Sequence, residues 1–198
     1  MTQIKNGTAL LWDCLELMRD IPDGSIDCII TDPPYWTTAC KWDTIIPFEP
    51  MWAELKRIIK PNGAIVLFGS EPFSSFLRCS NIKNFRYDWI WKKSNGGGFL
   101  SANKAPLKRH EIISVFSNRQ TLYNPQKTEG KPYACTRASG WWHLWEEQSK
   151  KVAWWKTISD WKRYPITILD FKNDTWLHPT QKPVWLIEYL IKTYTNEW

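Results

Sequence analysis

At 198 residues the chain is long enough for one domain with a substantial core and too short for two ordinary ones. Lys and Arg number 26 against 20 Asp and Glu, a net charge of +6 that suits a polyanionic partner, and nucleic acid is the commonest one. Five cysteines with no Cys-x-x-Cys pair and three scattered histidines argue against a metal site, and no apolar run approaches membrane-spanning length, so a cytoplasmic protein with reduced thiols is expected.

In chain order, residues 8–12 (Thr8 to Trp12) read as a short buried strand, and 14–19 as a short helix closed by the turn Pro22-Asp23-Gly24-Ser25. Asp13 stands where an acid caps such a helix. Residues 26–31 form the next strand. It runs into Asp32-Pro33-Pro34-Tyr35, the most informative stretch of the sequence.

A strand that stops at an acid, two prolines and an aromatic makes a stiff mouth at the carboxyl end of a sheet, where open α/β folds place their ligands. The carboxylate and nearby carbonyls accept hydrogen bonds from an amino group. The prolines lack N–H groups and hold the turn rigid. Tyr35 offers a face for a flat ring. The same tripeptide is also ordinary loop punctuation, and context has to decide between the two readings.

Between residues 49 and 60, Trp52, Leu55, Ile58 and Ile59 recur at helical spacing. Pro61-Asn62-Gly63 stops that helix and 64–68 form another buried strand, so helices between strands imply right-handed crossovers and a parallel sheet. Residues 87–91 and 111–116 read as two strands added antiparallel at one side of the sheet. Gly96-Gly97-Gly98 between them reads as a flexible loop beside the pocket. It does not open a helix after a strand, so it is not a cofactor cradle.

Residues 119–165 are rich in Lys, Arg and Trp and lack clear periodicity. Most of the 15 tryptophans read as packing, Trp42 and Trp91 among them. Last, 183–194 place Leu186, Ile187, Leu190, Ile191 and Tyr194 on one helical face, with Pro183 suited to the first turn.

Five segments in order carry a resemblance: Asp32 to Tyr35, Lys60 to Phe68, Tyr87 to Lys93, His110 to Phe116, and His178-Pro179-Thr180-Gln181-Lys182-Pro183. Together they resemble the S-adenosylmethionine-dependent amino-methyltransferases of DNA, in the permuted β-class order with the catalytic motif early. The resemblance implies an α/β, Rossmann-like methyltransferase sheet, permuted and incomplete, in a single domain over 1–198, with 119–165 as a target-recognition insertion.

It assigns catalysis to Asp32, Pro33, Pro34 and Tyr35. Cofactor contact falls to Asp32 and to His178, Thr180, Gln181 and Lys182; Asp13 either approaches the cofactor's adenine or only caps its helix. Trp36 is a further candidate for stacking the base, and Lys92, Lys93, Lys104, Lys108 and Arg109 are candidates for phosphate contact or for a solvated surface. The implied partner is double-stranded DNA. In the family, a strand and a glycine-rich cofactor turn follow the last helix, and here the sequence ends before them. Either the product is truncated and inactive alone, or a homodimer or complementing C-terminal chain completes the site, or the chain is a non-catalytic relic. Adenine N6 is the expected target, because an initial Asp leans that way and an initial Ser would lean towards cytosine N4. A DNA-binding relic without methyl transfer is the competing class.

Overall fold

Ala64, Val66 and Phe68 belong to one buried apolar cluster, while Ile65 and Leu67 between them belong to another. A strand apolar on both faces must lie inside a sheet covered on both sides. That requirement sets the architecture: helices above and below one central sheet.

The computed structural model describes residues 2–4, 7–36, 43–139, 153–159, 161–174 and 180–196. They divide into two units, Met1–Asn124 with Ile166–Trp198, and Pro125–Pro165. In the first unit the elements begin with β1 (Thr2–Ile4), β2 (Gly7–Ala9), α1 (Cys14–Met18), β3 (Ile26–Thr31), α2 (Phe48–Ile58) and β4 (Ile59–Gly69). They continue through α3 (Phe73–Ser80), β5 (Phe85–Gly97), a 3-10 turn at Phe99–Ser101 and β6 (Lys108–Phe116). The second unit holds β7 (Thr128–Glu129), β8 (Tyr133–Ser139), β9 (Ala153–Ser159) and β10 (Lys162–Arg163). The chain then returns to the first unit for β11 (Ile168–Asp170) and α4 (Val184–Tyr194).

The central sheet has the order β11-β5-β6-β4-β3. β3 pairs parallel to β4 and β11 parallel to β5, while β6 runs antiparallel to both β4 and β5. Four strands therefore share one direction. The expected antiparallel pair does lie on one side of β4 and β3, but β6 alone is reversed, while β5 beyond it runs with β3 and β4 and is itself flanked by β11. The reason is visible in burial. Every residue from Glu111 to Phe116 is buried, which demands neighbours on both edges and both faces, whereas β5 is buried only in part.

Residues 8–12 also differ from expectation. Only Gly7–Ala9 is a strand, and it pairs with β1 in a separate ribbon. Leu10, Leu11 and Trp12 are exposed. A short apolar run carries no period of its own, so its burial depends on a neighbouring layer that is not encoded within it. Gly96 and Gly97, expected as loop, continue β5, and Gly97 pairs with Lys108; the ladder's hydrogen bonds hold the glycines extended. Gly98, at φ +92, then makes the turn, a conformation that suits glycine.

α2 and α3 cover one face of the sheet through Met51, Trp52, Leu55, Phe73 and Leu77, and α4 covers the other through Leu186, Leu190 and Tyr194. Each fully buried leucine contributes about 1.5–3 kcal/mol by leaving water. Arg57 in the last turn of α2 reaches back to the carbonyls of Met18 (2.6 Å) and Ile21 (2.8 Å) and pairs with Asp23, fixing the turn that feeds β3. In the second unit β8 pairs with β9 and β7 with β10, all antiparallel. There the Arg163 guanidinium lies 4.8 Å from the Tyr133 ring centre and the Lys127 ammonium 4.3 Å from that of Tyr164. Cation–aromatic pairing of this kind leaves no apolar alternation in the sequence to read.

No helix among the described residues is long and apolar enough to cross a membrane, and no cluster among them is suited to a metal ion. Cys14, Cys28 and Cys79 are free thiols, and burial pushes Cys28 up to about 12.

One buried polar contact ties α4 to the sheet. The Tyr194 hydroxyl accepts the Trp89 indole N–H at 2.7 Å and shares a hydrogen bond with the Tyr87 hydroxyl at 2.8 Å. Burial holds the phenols of Tyr194, Tyr87 and Tyr35 above the ordinary tyrosine value of 10.0. A raised folded pKa means that the neutral form is the one stabilised. The contribution is therefore complete below about pH 10 and is lost as pH rises beyond it. Urea unfolding should show stability falling progressively above pH 10. Tyr194→Phe should flatten that slope and, at pH 8, cost about 1–3 kcal/mol by leaving the Trp89 N–H without its acceptor.

Candidate active site

Parallel strands that end at one edge leave their following loops together, and here those loops enclose a cavity of about 420 Å³. Asp32 to Tyr35 follow β3, Ser70 follows β4, and Asn173 follows β11. Lys93 comes from β5 and Glu111 from the start of the reversed strand β6. Thr180, Gln181 and Lys182 enter from the approach to α4.

The charged groups form a chain. Asp32 accepts a hydrogen bond from Lys182 Nζ at 2.6 Å through one oxygen and from the Tyr35 hydroxyl through the other. Lys182 Nζ lies 3.2 Å from Glu111 Oε2, and Lys93 pairs with Glu111 Oε1. The side chains are 11% exposed at Glu111, 14% at Lys182, 26% at Lys93 and 37% at Asp32. Asp32 is thus the end of the chain that an incoming ligand meets first. Aromatic rings back the two cations: the Lys93 ammonium is 5.1 Å from the Trp91 ring centre, and that of Lys182 is 5.2 Å from Phe68.

The turn itself is braced from below. Asp43, buried, accepts the backbone N–H groups of Tyr35 (2.8 Å) and Trp36 (2.9 Å) on one carboxylate oxygen. Two successive amides converge on one anion here, and Trp36 takes the left-handed conformation at φ 58. Tyr35 stacks on Phe73, with ring centres 5.2 Å apart. Its burial, and the Asp32 carboxylate beside it, push the phenol far above its ordinary value, so it remains a hydrogen-bond donor.

Of the residues singled out in the sequence, Asp32, Pro33, Pro34, Tyr35, Thr180, Gln181, Lys182 and Lys93 line this cavity. His178 lies outside the described residues. Asp13 is not in the cavity wall; it caps α1, accepting the Leu15 N–H at 2.8 Å. Trp36 is exposed and is not in the cavity wall. The other cations separate into distinct settings. Lys92 pairs with Asp170, Arg109 donates to the carbonyls of Lys93 and Ser94, and Lys104 is exposed beyond the 3-10 turn. Lys108 bonds the Ser70 hydroxyl and lines an adjoining hollow.

Four residues of the cavity wall escaped sequence reading: Asp43, Ser70, Glu111 and Asn173. Asp43 gives no local signal. Glu111 gives a weak one: a carboxylate opening a run of buried apolar residues has to find partners there.

Comparison with known proteins identifies the family. The sequence profile of a family described as DNA methylase, of the N6/N4 type, matches residues 26–197. The chain is 27% identical over 184 aligned positions to the type II methyltransferase M.HinfI of Haemophilus influenzae, covering 73% of this chain and 50% of that protein. It is 23% identical to the DNA adenine methyltransferase YhdJ of Escherichia coli K12, covering 96% and 67%. Among solved structures, the cytosine-N4-specific PvuII DNA methyltransferase matches with a TM-score of 0.60 at 15% identity, over 94% of this chain and 69% of that one. The complex of M1.HpyAVI with S-adenosylmethionine matches with a TM-score of 0.54 at 20% identity, over 93% and 76%. Likeness at this identity shows the fold alone. The chain spans about half the length of M.HinfI. With residues 26–197 of its 198 matched by the family profile, the chain belongs to the N6/N4 DNA methylase family.

Proposed function

We propose that the chain carries the methyl-transfer site of a DNA adenine-N6 methyltransferase using S-adenosylmethionine. The observation that carries this reading is the placement of Asp32, the most open carboxylate of the charge chain, on a rigid Pro-Pro turn at the carboxyl edge of β3.

The residues present suit the cofactor. The cavity holds ammonium groups and carboxylates together, as a zwitterionic amino-acid end requires, and Glu111 Oε2 is buried with no hydrogen bond beyond its ion pair. Lys182 and Thr180 would meet the cofactor's carboxylate. When bound, S-adenosylmethionine supplies a methyl group on a positively charged sulfur.

The remaining chemistry belongs to the chain. An exocyclic amine is a poor nucleophile because its lone pair is delocalised into the ring. Accepting its N–H at Asp32 draws density to nitrogen and fixes its direction, and alignment of that kind is a large catalytic effect. Both Asp32 oxygens are engaged, by Lys182 and by Tyr35, so the amine takes its place as one of these donors shifts. Pro33 and Pro34 hold the carboxylate against recoil. The base reaches this depth only when flipped from the duplex, at a cost of a few kcal/mol. The unit Pro125–Pro165, with its exposed Trp161 and Tyr164, reads the target sequence in this scheme.

Adenine is favoured over cytosine by the acid at the first position of the tetrapeptide and by the likeness to YhdJ. The test is nucleoside mass spectrometry of unmethylated mixed-sequence duplex DNA incubated with the chain and methyl-labelled S-adenosylmethionine. N6-methyladenine is expected. N4-methylcytosine would move the target to the other amine, and unlabelled DNA together with no cofactor binding would overturn the reading.

A further inference from the structure

Beside the methyl-transfer cavity lies a second hollow of different chemistry. It is walled by Lys108, His110 and the Gly96–Gly98 backbone, and it shares Ser70, Lys93, Glu111 and Asn173 with the first. We propose that this hollow binds a phosphodiester of the strand that carries the target base. The proposal rests on the reading of the first cavity as the site of a flipped nucleotide, and it adds a separate seat for that nucleotide's backbone.

Three observations support it. The first is continuity with contrast. A nucleotide joins a flat base to a phosphate through a sugar, and the two hollows adjoin in that sense. To the shared Lys93 and Glu111 the first adds Tyr35, Trp91, Asp32, Asp43 and Lys182, and the second adds Lys108, His110 and bare backbone with no further carboxylate.

The second is charge. Lys92 is neutralised by Asp170 and Lys93 by Glu111, whereas Lys108 is held by a neutral partner, the Ser70 hydroxyl. Lys108 therefore keeps an uncompensated positive charge at the hollow. Glu111, the one carboxylate among the lining residues, is already engaged by Lys93 and Lys182, so an entering anion does not face an unpaired acid.

The third is shape. A Cβ at Gly98 would meet nothing within 4 Å, and one at Gly97 only the Lys108 carbonyl at 4.0 Å. Gly98 is held to glycine by its φ of +92, whereas the missing side chain at Gly97 serves neither conformation nor packing and leaves the backbone open to close approach. Gly96 differs: a Cβ would press on Leu107 and Arg109 at 3.2 Å, so its bareness is explained by packing.

The test compares two ligands of the 198-residue chain by chemical-shift titration at low salt: deoxyadenosine and deoxyadenosine 3′,5′-bisphosphate. The bisphosphate should bind about tenfold more tightly, as a charge-assisted contact of roughly 1.4 kcal/mol implies. Lys108→Gln should remove most of that advantage and leave deoxyadenosine affinity unchanged. Lys83→Gln should keep it, because Lys83 precedes β5 and so lies towards the opposite end of the sheet. The subsite is overturned if phosphates give no advantage, if the advantage survives Lys108→Gln, or if Lys83→Gln removes it equally. The reading of the first cavity fails separately, if Asp32→Ala leaves deoxyadenosine binding untouched.

Discussion

Asp32→Ala should lower the rate of the proposed adenine methylation by about 10²–10³-fold, the scale on which one preorganised electrostatic partner acts at a reacting centre. The fold should survive. Asp32 is part of an ion pair, yet its loss does not strand a buried charge, because Lys182 Nζ still has Glu111 Oε2 at 3.2 Å. With Asp32 more than a third exposed, its own pairing with Lys182 contributes little, about 1 kcal/mol or less. A thermal melt close to the parent's, alongside an initial rate reduced to near background by nucleoside mass spectrometry, is the combined outcome expected. Asp32→Asn should fall between the two, since the amide keeps one acceptor oxygen in place while losing the charge. An Asp32→Ala protein that methylates at the parent's rate would remove the carboxylate from the chemistry.

The separation between rate and stability follows from where Asp32 sits, and that position is legible in the sequence. The run from Ile26 to Thr31 reads as a strand because it is short, apolar and ends in a turn, and Pro33-Pro34 marks the sheet's mouth. α2 and α4 were legible for a similar reason: their apolar residues recur at 3.6-residue spacing, and periodicity is a local property. What failed was relational. Strand order is set by pairings between distant segments, so nothing within Glu111 to Phe116 announced that it would lie between β4 and β5. The same holds for Leu10 to Trp12, where apolar composition alone suggested a core that does not cover them.

The site shows this limit more sharply. Asp32 and Lys182 were each named from motifs, but their contact joins residues 150 apart, and neither motif contains it. Asp43 braces the turn from eight residues beyond Tyr35, through a carboxylate that carries no sequence signature. Glu111 stood in a quoted segment without a role, because its role exists only when β5, β6 and the approach to α4 are assembled. Motifs therefore identified the exposed end of the charge chain, and folding supplied its interior.

That interior gives the second large expected effect. Glu111→Gln should destabilise the chain by about 2–4 kcal/mol, near the range measured when one partner of a buried ion pair is removed. Glu111 is the most buried of the four charged groups and the only one that contacts both lysines. Replacing its charge with an amide of the same size leaves Lys93 and Lys182 facing each other across a neutral group in a partly desolvated wall. Two contacts limit the loss: Lys182 retains Asp32, and Lys93 retains the Trp91 ring. Urea unfolding at pH 7 measures the effect, and a second substitution identifies its cause. Lys93→Met removes the cation while keeping an unbranched apolar stem, so the double variant Glu111→Gln/Lys93→Met should recover part of the stability lost in Glu111→Gln alone. Recovery would show that the cost lies in the unbalanced cation. Additive losses would assign Glu111 a packing role and would break the charge chain into separate pairs.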